Sequence, residues 1–113
     1  MNQNRNKLID LFIGNISNCV VHEILENAIK EESIRDHYNK ELIISLDIAK
    51  RYREKINPKN KAFPTKDIER IRKKVIQRVN TELKLRISKG YENINLKDVE
   101  VTVDKLLENT KVT

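Results

Sequence analysis

Apolar residues recur every three or four positions along most of this chain, which is the period of an α-helix. The pattern predicts four helices, over residues 6–30, 34–56, 66–89 and 96–109. The chain contains only two glycines and two prolines, so it has few places to turn and must consist of a small number of long elements. We therefore expect an all-α, antiparallel bundle of about four helices, built as a single domain over residues 1–113.

The first predicted helix is apolar around most of its circumference in its first half. A helix of this kind is buried on several sides, so it is either the central helix of the bundle or the surface that joins two subunits. Gly14 lowers the helix propensity by about 1 kcal/mol relative to alanine, but a residue of this size allows a close helix contact.

The first two helices meet at Glu31–Ser33, where no glycine or proline marks a turn. Ser33 followed by Asp36 resembles a capping box, which favours a hairpin over one long kinked helix. Two residues of the second helix, Ile43 and Ile44, lie off its inner stripe. They indicate a second contact surface beyond the core of one chain.

The third helix has a clear start, a clear end and one apolar stripe. Thr65 is positioned to cap its first turn, and Gly90 is suited to a left-handed cap at its C-terminal end. Its apolar stripe is formed by Ile68, Ile71, Val75, Val79, Leu83 and Ile87. Asn95 is the matching N-cap candidate for the fourth helix, although Val99, Val101 and Val103 also alternate as a strand would.

The face of the third helix opposite its stripe is basic and contains no acid. It is formed by Arg70, Lys73, Lys74, Gln77 and Lys84. A one-sided face of this kind is typical of a surface that meets phosphates. The alternative is a lysine-rich face that is merely solvated, or one neutralised by acids of the other helices.

The formal net charge of +6 is unevenly distributed along the chain. Residues 50–89 hold fifteen basic and four acidic side chains, whereas residues 1–49 hold five basic and eight acidic ones. A general preference for lysine would act along the whole chain, so it does not explain this segregation. The segregation is the strongest functional indication in the sequence.

The loop over residues 57–65 extends the basic region through Lys59 and Lys61. Phe63 is expected to pack this loop onto the core. The alternative role for Phe63 is base stacking, together with Tyr52 and Tyr91, if the ligand is a single strand.

Candidate chemistry is sparse. Cys19, His22 and Glu26 share one helical face with Glu23, and His37 and Glu41 would approach it in a hairpin. Their spacing matches no metal-binding template, so we expect no metal and no cofactor. The minor alternative is a metal-dependent activity at Cys19, His22 and Glu26. The sequence contains neither a nucleophile elbow nor a glycine-rich phosphate loop, so we expect no enzymatic activity.

The single cysteine excludes an intrachain disulfide and is consistent with a reducing compartment. We expect no signal peptide, no membrane-spanning segment and therefore a cytoplasmic location.

The sequence thus favours a non-catalytic protein that binds DNA or RNA through the phosphate backbone, with low sequence specificity. The alternative is a homo-oligomeric interaction or adaptor bundle, such as a dimer, whose basic helix docks on an acidic protein partner. Neither hypothesis includes a small-molecule substrate.

Overall fold

The computed structural model describes residues 2–59 and 61–113. It contains four helices: α1 (Asn2–Ala28), α2 (Glu32–Ile56), α3 (Thr65–Ser88) and α4 (Asp98–Asn109). The predicted all-α bundle of four helices is confirmed, and no strand occurs in the described part of the chain. α1 ends before the short connection at 29–31 and α2 folds back along it, so the two helices form a hairpin.

The contacts between helices fix their directions. Arg5 of α1 pairs with Asp67 of α3, and Asp10 lies next to Arg70, so residue numbers rise together along both helices. α1 and α3 are therefore parallel neighbours. α4 is joined to both of them, because Asp104 pairs with Arg72 of α3 at 2.7 Å and Lys105 pairs with Glu23 of α1 at 2.8 Å.

The centre of the bundle is α1, which packs against each of the other three helices. α2 packs against α1 alone among the helices, while α3 and α4 also pack against each other. Nine apolar residues of α1 are buried: Ile9, Phe12, Ile13, Ile16, Cys19, Val20, Val21, Ile24 and Leu25. The sequence left two roles open for α1, the central helix of the bundle or a subunit interface. In the structure α1 is the central helix.

The apolarity of α1 has a second consequence. The stretch Asn4–Ala28 is long and apolar enough to cross a membrane by length and composition alone. It meets this criterion because residues 11–22 include no lysine, arginine, aspartate or glutamate. Within the bundle, 56% of that window is buried, as expected for a core helix.

The three predicted N-caps were wrong, although the helices begin close to them. Thr65 is already inside α3, which begins after Pro64, and the Pro64 carbonyl accepts the N–H groups of residues 67 and 68. α2 begins after Glu31, and the Ser33 hydroxyl donates to the Glu31 carboxylate instead of capping the helix. Asn95 accepts the N–H of Lys97 at 3.0 Å, which forms a separate turn just before α4.

The predicted C-cap is confirmed. Gly90 has a φ of 100°, a left-handed conformation that glycine adopts without strain. Its N–H donates to the Ile87 carbonyl at 3.0 Å, and the N–H of Tyr91 donates to the Arg86 carbonyl at 3.1 Å. These two bonds form a Schellman motif, which satisfies carbonyls at the end of α3.

The predicted stripe of α3 is correct except in its last turn. Ile71, Val75, Val79 and Leu83 of α3 are buried, but Ile87 in the last turn is 39% exposed. On α4, Val99 and Val103 are buried while Val101 is 72% exposed, which fits a helix and excludes the alternating strand.

One end of the bundle is held by a buried arginine, Arg53, which is 2% exposed. Its guanidinium donates to three backbone carbonyls, those of Lys111 at 3.0 Å, Asn57 at 2.7 Å and Lys61 at 2.9 Å. It also lies 4.5 Å from the centre of the buried Phe63 ring. Burial lowers the pKa of Arg53, with Glu54 acting in the opposite direction, but an arginine stays charged in proteins. Arg53 thus joins the end of α2, the loop and the C-terminal residues.

We expect Arg53→Ala to lower the free energy of unfolding by at least about 3 kcal/mol, because a buried acceptor that loses its donor costs about 1–3 kcal/mol. Urea unfolding followed by circular dichroism measures this. The control is Arg51→Ala, since Arg51 makes only an exposed ion pair with Asp47 and its loss should cost less than about 1 kcal/mol. Equal losses in the two variants would contradict the role assigned to Arg53.

Candidate nucleic-acid interface

The basic face predicted on α3 exists as a solvent-facing arc. Successive helical residues differ by about 100°, so its five members fall within an arc of about 100° on the side away from the buried stripe. All five are exposed: Arg70, Lys73, Lys74, Gln77 and Lys84. Gln77 is the one uncharged member, and its amide can donate or accept hydrogen bonds.

The three lysines of this arc carry uncompensated charge. Within residues 2–59 and 61–113, no carboxylate lies within ion-pair distance of Lys73, Lys74 or Lys84. The carboxylates of the other helices therefore do not neutralise them. This argues against the alternative that acids of the other helices neutralise the basic face.

Arg70 differs from the lysines. It lies 3.8 Å from Asp10 of α1, so this member of the arc has a carboxylate neighbour within the bundle. The reason is the parallel packing of α1 and α3, which brings the first halves of the two helices side by side. Both side chains are well exposed and the distance is long, so this pair contributes little stability and holds Arg70 weakly.

The charged residues near the stripe form pairs of two kinds. Arg72 pairs with Asp104 of α4 at 2.7 Å, which links neighbouring helices. Glu82 and Arg86 instead pair with each other at 3.1 Å along α3. In both cases the carboxylate pairs with an arginine and leaves the lysine arc unaffected.

Lys59 and Lys61 lie in the loop at the end of the bundle where α3 begins, and both are exposed. Lys59 has a left-handed backbone with φ 62°, and its N–H donates to the Glu54 carboxylate at 2.6 Å. The carbonyl of Lys61 is held by Arg53. The structure thus places these two lysines on a fixed loop beyond the start of α3, and not within its arc.

The aromatic residues form no shared stacking platform. Phe63 is buried, which confirms that it packs the loop onto the core. Tyr52 is half-buried, and the exposed Tyr91 has the Arg86 guanidinium 5.5 Å from its ring centre. Base stacking by these three residues together is therefore not supported.

Sequence reasoning missed the seam between α1 and α3. A hollow of about 540 Å³ lies there, lined by Lys7, Asp10, Lys74, Gln77 and Arg78 among others. Arg78 and Lys7 add to the basic character of the side of α3 that faces α1. No signal in the sequence identified them, because their proximity depends on which helices are parallel neighbours.

Of the residues considered for metal binding, Cys19 is buried in the core and Glu23 is paired. The pKa of the Cys19 thiol is raised to about 12, chiefly by burial, with a backbone hydrogen bond lowering it and the charge of Glu23 raising it. The carboxylate of Glu23 pairs with Lys105 of α4 at 2.8 Å. In the described part of the chain, no group of three His, Cys, Asp or Glu side chains is placed to hold a metal ion.

The fold and this site define a small four-helix bundle that carries uncompensated lysines on the outward face of one helix. Its extents are 44 × 23 × 21 Å, so α3 presents its outward face along most of the long axis. No family model, no curated protein and no solved structure matches this chain.

His22 is a half-buried titratable group whose pKa is lowered by burial. It is half-buried beside Tyr38, at 5.8 Å between ring centres, and its Nδ1 is buried without a hydrogen-bond partner among the described residues. Burial lowers its pKa from the ordinary value of 6.5, the charges of Arg86 and His37 lower it further, and Glu41 raises it.

Because the folded-state pKa of His22 lies below that of the unfolded chain, the unfolded state takes up a proton first as the pH falls. The contribution of His22 to stability is therefore present above pH 6.5 and is lost as the pH falls below it. We expect the melting temperature of His22→Gln to fall less between pH 7 and pH 5 than that of the unmodified protein. An unchanged pH dependence in His22→Gln would contradict the expectation.

Proposed function

We propose that this protein is a non-catalytic nucleic-acid-binding protein, which contacts DNA or RNA through the phosphate backbone with low sequence specificity. The observation that supports this most directly is the uncompensated charge of Lys73, Lys74 and Lys84 on one exposed face. The complete proposed contact set is Arg70, Lys73, Lys74, Gln77 and Lys84 of α3, with Lys59 and Lys61 of the loop.

The spacing of these residues indicates contacts that position the protein without reading a sequence. Lys73 and Lys84 are about 16 Å apart along the helix axis at 1.5 Å per residue, so they meet phosphates several nucleotides apart. Phosphate contacts of this kind fix orientation but carry no sequence information. Gln77 is the one member of the α3 arc with an amide able to read a base edge, which supports low specificity.

We expect Lys73→Glu/Lys74→Glu/Lys84→Glu to abolish nucleic-acid binding while leaving the helical content unchanged. Three attractive charges become repulsive, and each lost phosphate contact removes about one released counterion. Fluorescence anisotropy with labelled duplex DNA, single-stranded DNA and RNA over a salt series measures binding. In the unmodified protein, log K should fall linearly with log salt.

The control is Lys30→Glu/Lys40→Glu/Lys97→Glu, which makes the same change in net charge at three exposed lysines outside α3. If only the location of the charge matters, this control keeps most of its affinity. Equal loss in both variants would show that net charge alone attracts the nucleic acid, and no binding by the unmodified protein at low salt would refute the proposal.

A second candidate function, a self-associating interaction bundle, is favoured by one observation on α2. Ile43 and Ile44 are 60% and 56% exposed on the side of α2 away from α1. Adjacent isoleucines on an otherwise charged surface favour association with a second apolar surface. In this role the basic α3 would dock on an acidic protein partner.

Under this second function we expect the unmodified protein to scatter light as a stable oligomer and Ile43→Ser/Ile44→Ser to scatter as a monomer. Both side chains are already exposed, so the substitutions should leave the melting temperature within a few degrees. Multi-angle light scattering over a range of protein concentrations measures the mass. A monomer at every concentration in the unmodified protein would exclude self-association through this face.

A further inference from the structure

A second cleft lies in the seam between α1 and α3, and it is separate from the outward lysines. Its volume is about 530 Å³, within the range of small-molecule sites. Polar and charged side chains form much of its lining, including Asn18, His22, Arg78, Glu82 and Arg86, with Gly14 on the α1 side.

We propose that this cleft binds the phosphate or carboxylate group of a small molecule, with Arg78 as its principal contact. This site goes beyond the proposed nucleic-acid function and uses none of the lysines assigned to it. A guanidinium presents a planar fork of N–H donors that matches a phosphate or carboxylate group.

Arg78 is the uncommitted cation of the cleft. No carboxylate of the described residues pairs with it. The two acids that line the same cleft are each close to another arginine, since Glu82 binds Arg86 at 3.1 Å and Asp10 lies 3.8 Å from Arg70. The hydrogen-bonding capacity of Arg78 is therefore available to a ligand.

Gly14 explains how Arg78 reaches this position. A Cβ atom at Gly14 would lie 3.3 Å from Nη1 of Arg78, so the guanidinium lies directly against the backbone of α1. Glycine inside a helix is unfavourable relative to alanine, and Gly14 has ordinary helical geometry, without a positive φ. An alanine at this position would press on the guanidinium of Arg78, which would have to shift by a few tenths of an ångström.

Neighbouring polar groups complete the site. Asn18 is exposed at the cleft, and its amide can donate to an oxyanion. His22 also lines the cleft, but its Nδ1 is a buried atom. Asn18 therefore supplies the further donor beside Arg78 in this cleft.

The test is a titration of ¹⁵N-labelled protein with inorganic phosphate, and separately with acetate, at constant ionic strength held with chloride. We expect saturable chemical-shift changes at Gly14, Asn18 and the Arg78 side chain with at least one of the two anions. The anion that binds more tightly assigns the ligand group. Shifts that do not saturate, or that are confined to Lys73, Lys74 and Lys84, would overturn the proposal.

Variants separate this site from the lysine face. Arg78→Gln should weaken the saturable binding at least tenfold, whereas Arg51→Gln, at an exposed arginine paired with Asp47, should leave it unchanged. Gly14→Ala should weaken it several-fold while the melting temperature stays equal or rises, a combination that a purely structural glycine would not give. Unchanged anion affinity in either Arg78→Gln or Gly14→Ala would overturn the assignment.

The two proposals fail independently. Lys73→Glu/Lys74→Glu/Lys84→Glu should retain anion binding in the cleft, and Arg78→Gln should retain nucleic-acid binding. Loss of both activities in Arg78→Gln, with its fold intact, would refute a separate small-molecule site.

Discussion

The structure depends on the need of α1 to be buried on nearly every side. A helix that is apolar around most of its circumference requires several covering elements, and α2, α3 and α4 supply them. Each covering helix then has one buried face, and its opposite face must meet solvent. The position of the basic face follows from this constraint, because burying Val75 and Val79 against the core directs Lys73 and Lys84 outward.

A bundle of this shape has to satisfy backbone carbonyls at its ends, and Arg53 does so at one of them. Three carbonyls from different segments accept hydrogen bonds from its guanidinium, in place of the bonds that water would donate. A hydrophobic side chain could fill the same space but would leave those acceptors unpaired, at a cost comparable to that of several ordinary core contacts. The loop that carries Lys59 and Lys61 is thereby fixed to the helical core.

The elements of the fold were predictable from sequence because the helical period is repeated many times in each segment. Isolated local signals were less reliable. Thr65 has the chemistry of a cap, but the conformation of Pro64 begins α3 one residue earlier. The buried Arg53 and the Gly14–Arg78 contact were not predictable, since each depends on which segments become neighbours. The lysine arc was predictable because it requires only the period of one helix.

Arginine and lysine are used differently throughout the molecule. Among the described ion pairs, Lys105 is the one lysine, and every other cation is an arginine. The planar guanidinium suits fixed contacts with carboxylates and carbonyls, whereas an ammonium group is a compact, strongly hydrated charge. The lysines of α3 therefore keep their charge available to a partner in solution. Arg78 departs from this division. Its guanidinium is suited to a fixed contact, but no carboxylate of the described chain pairs with it.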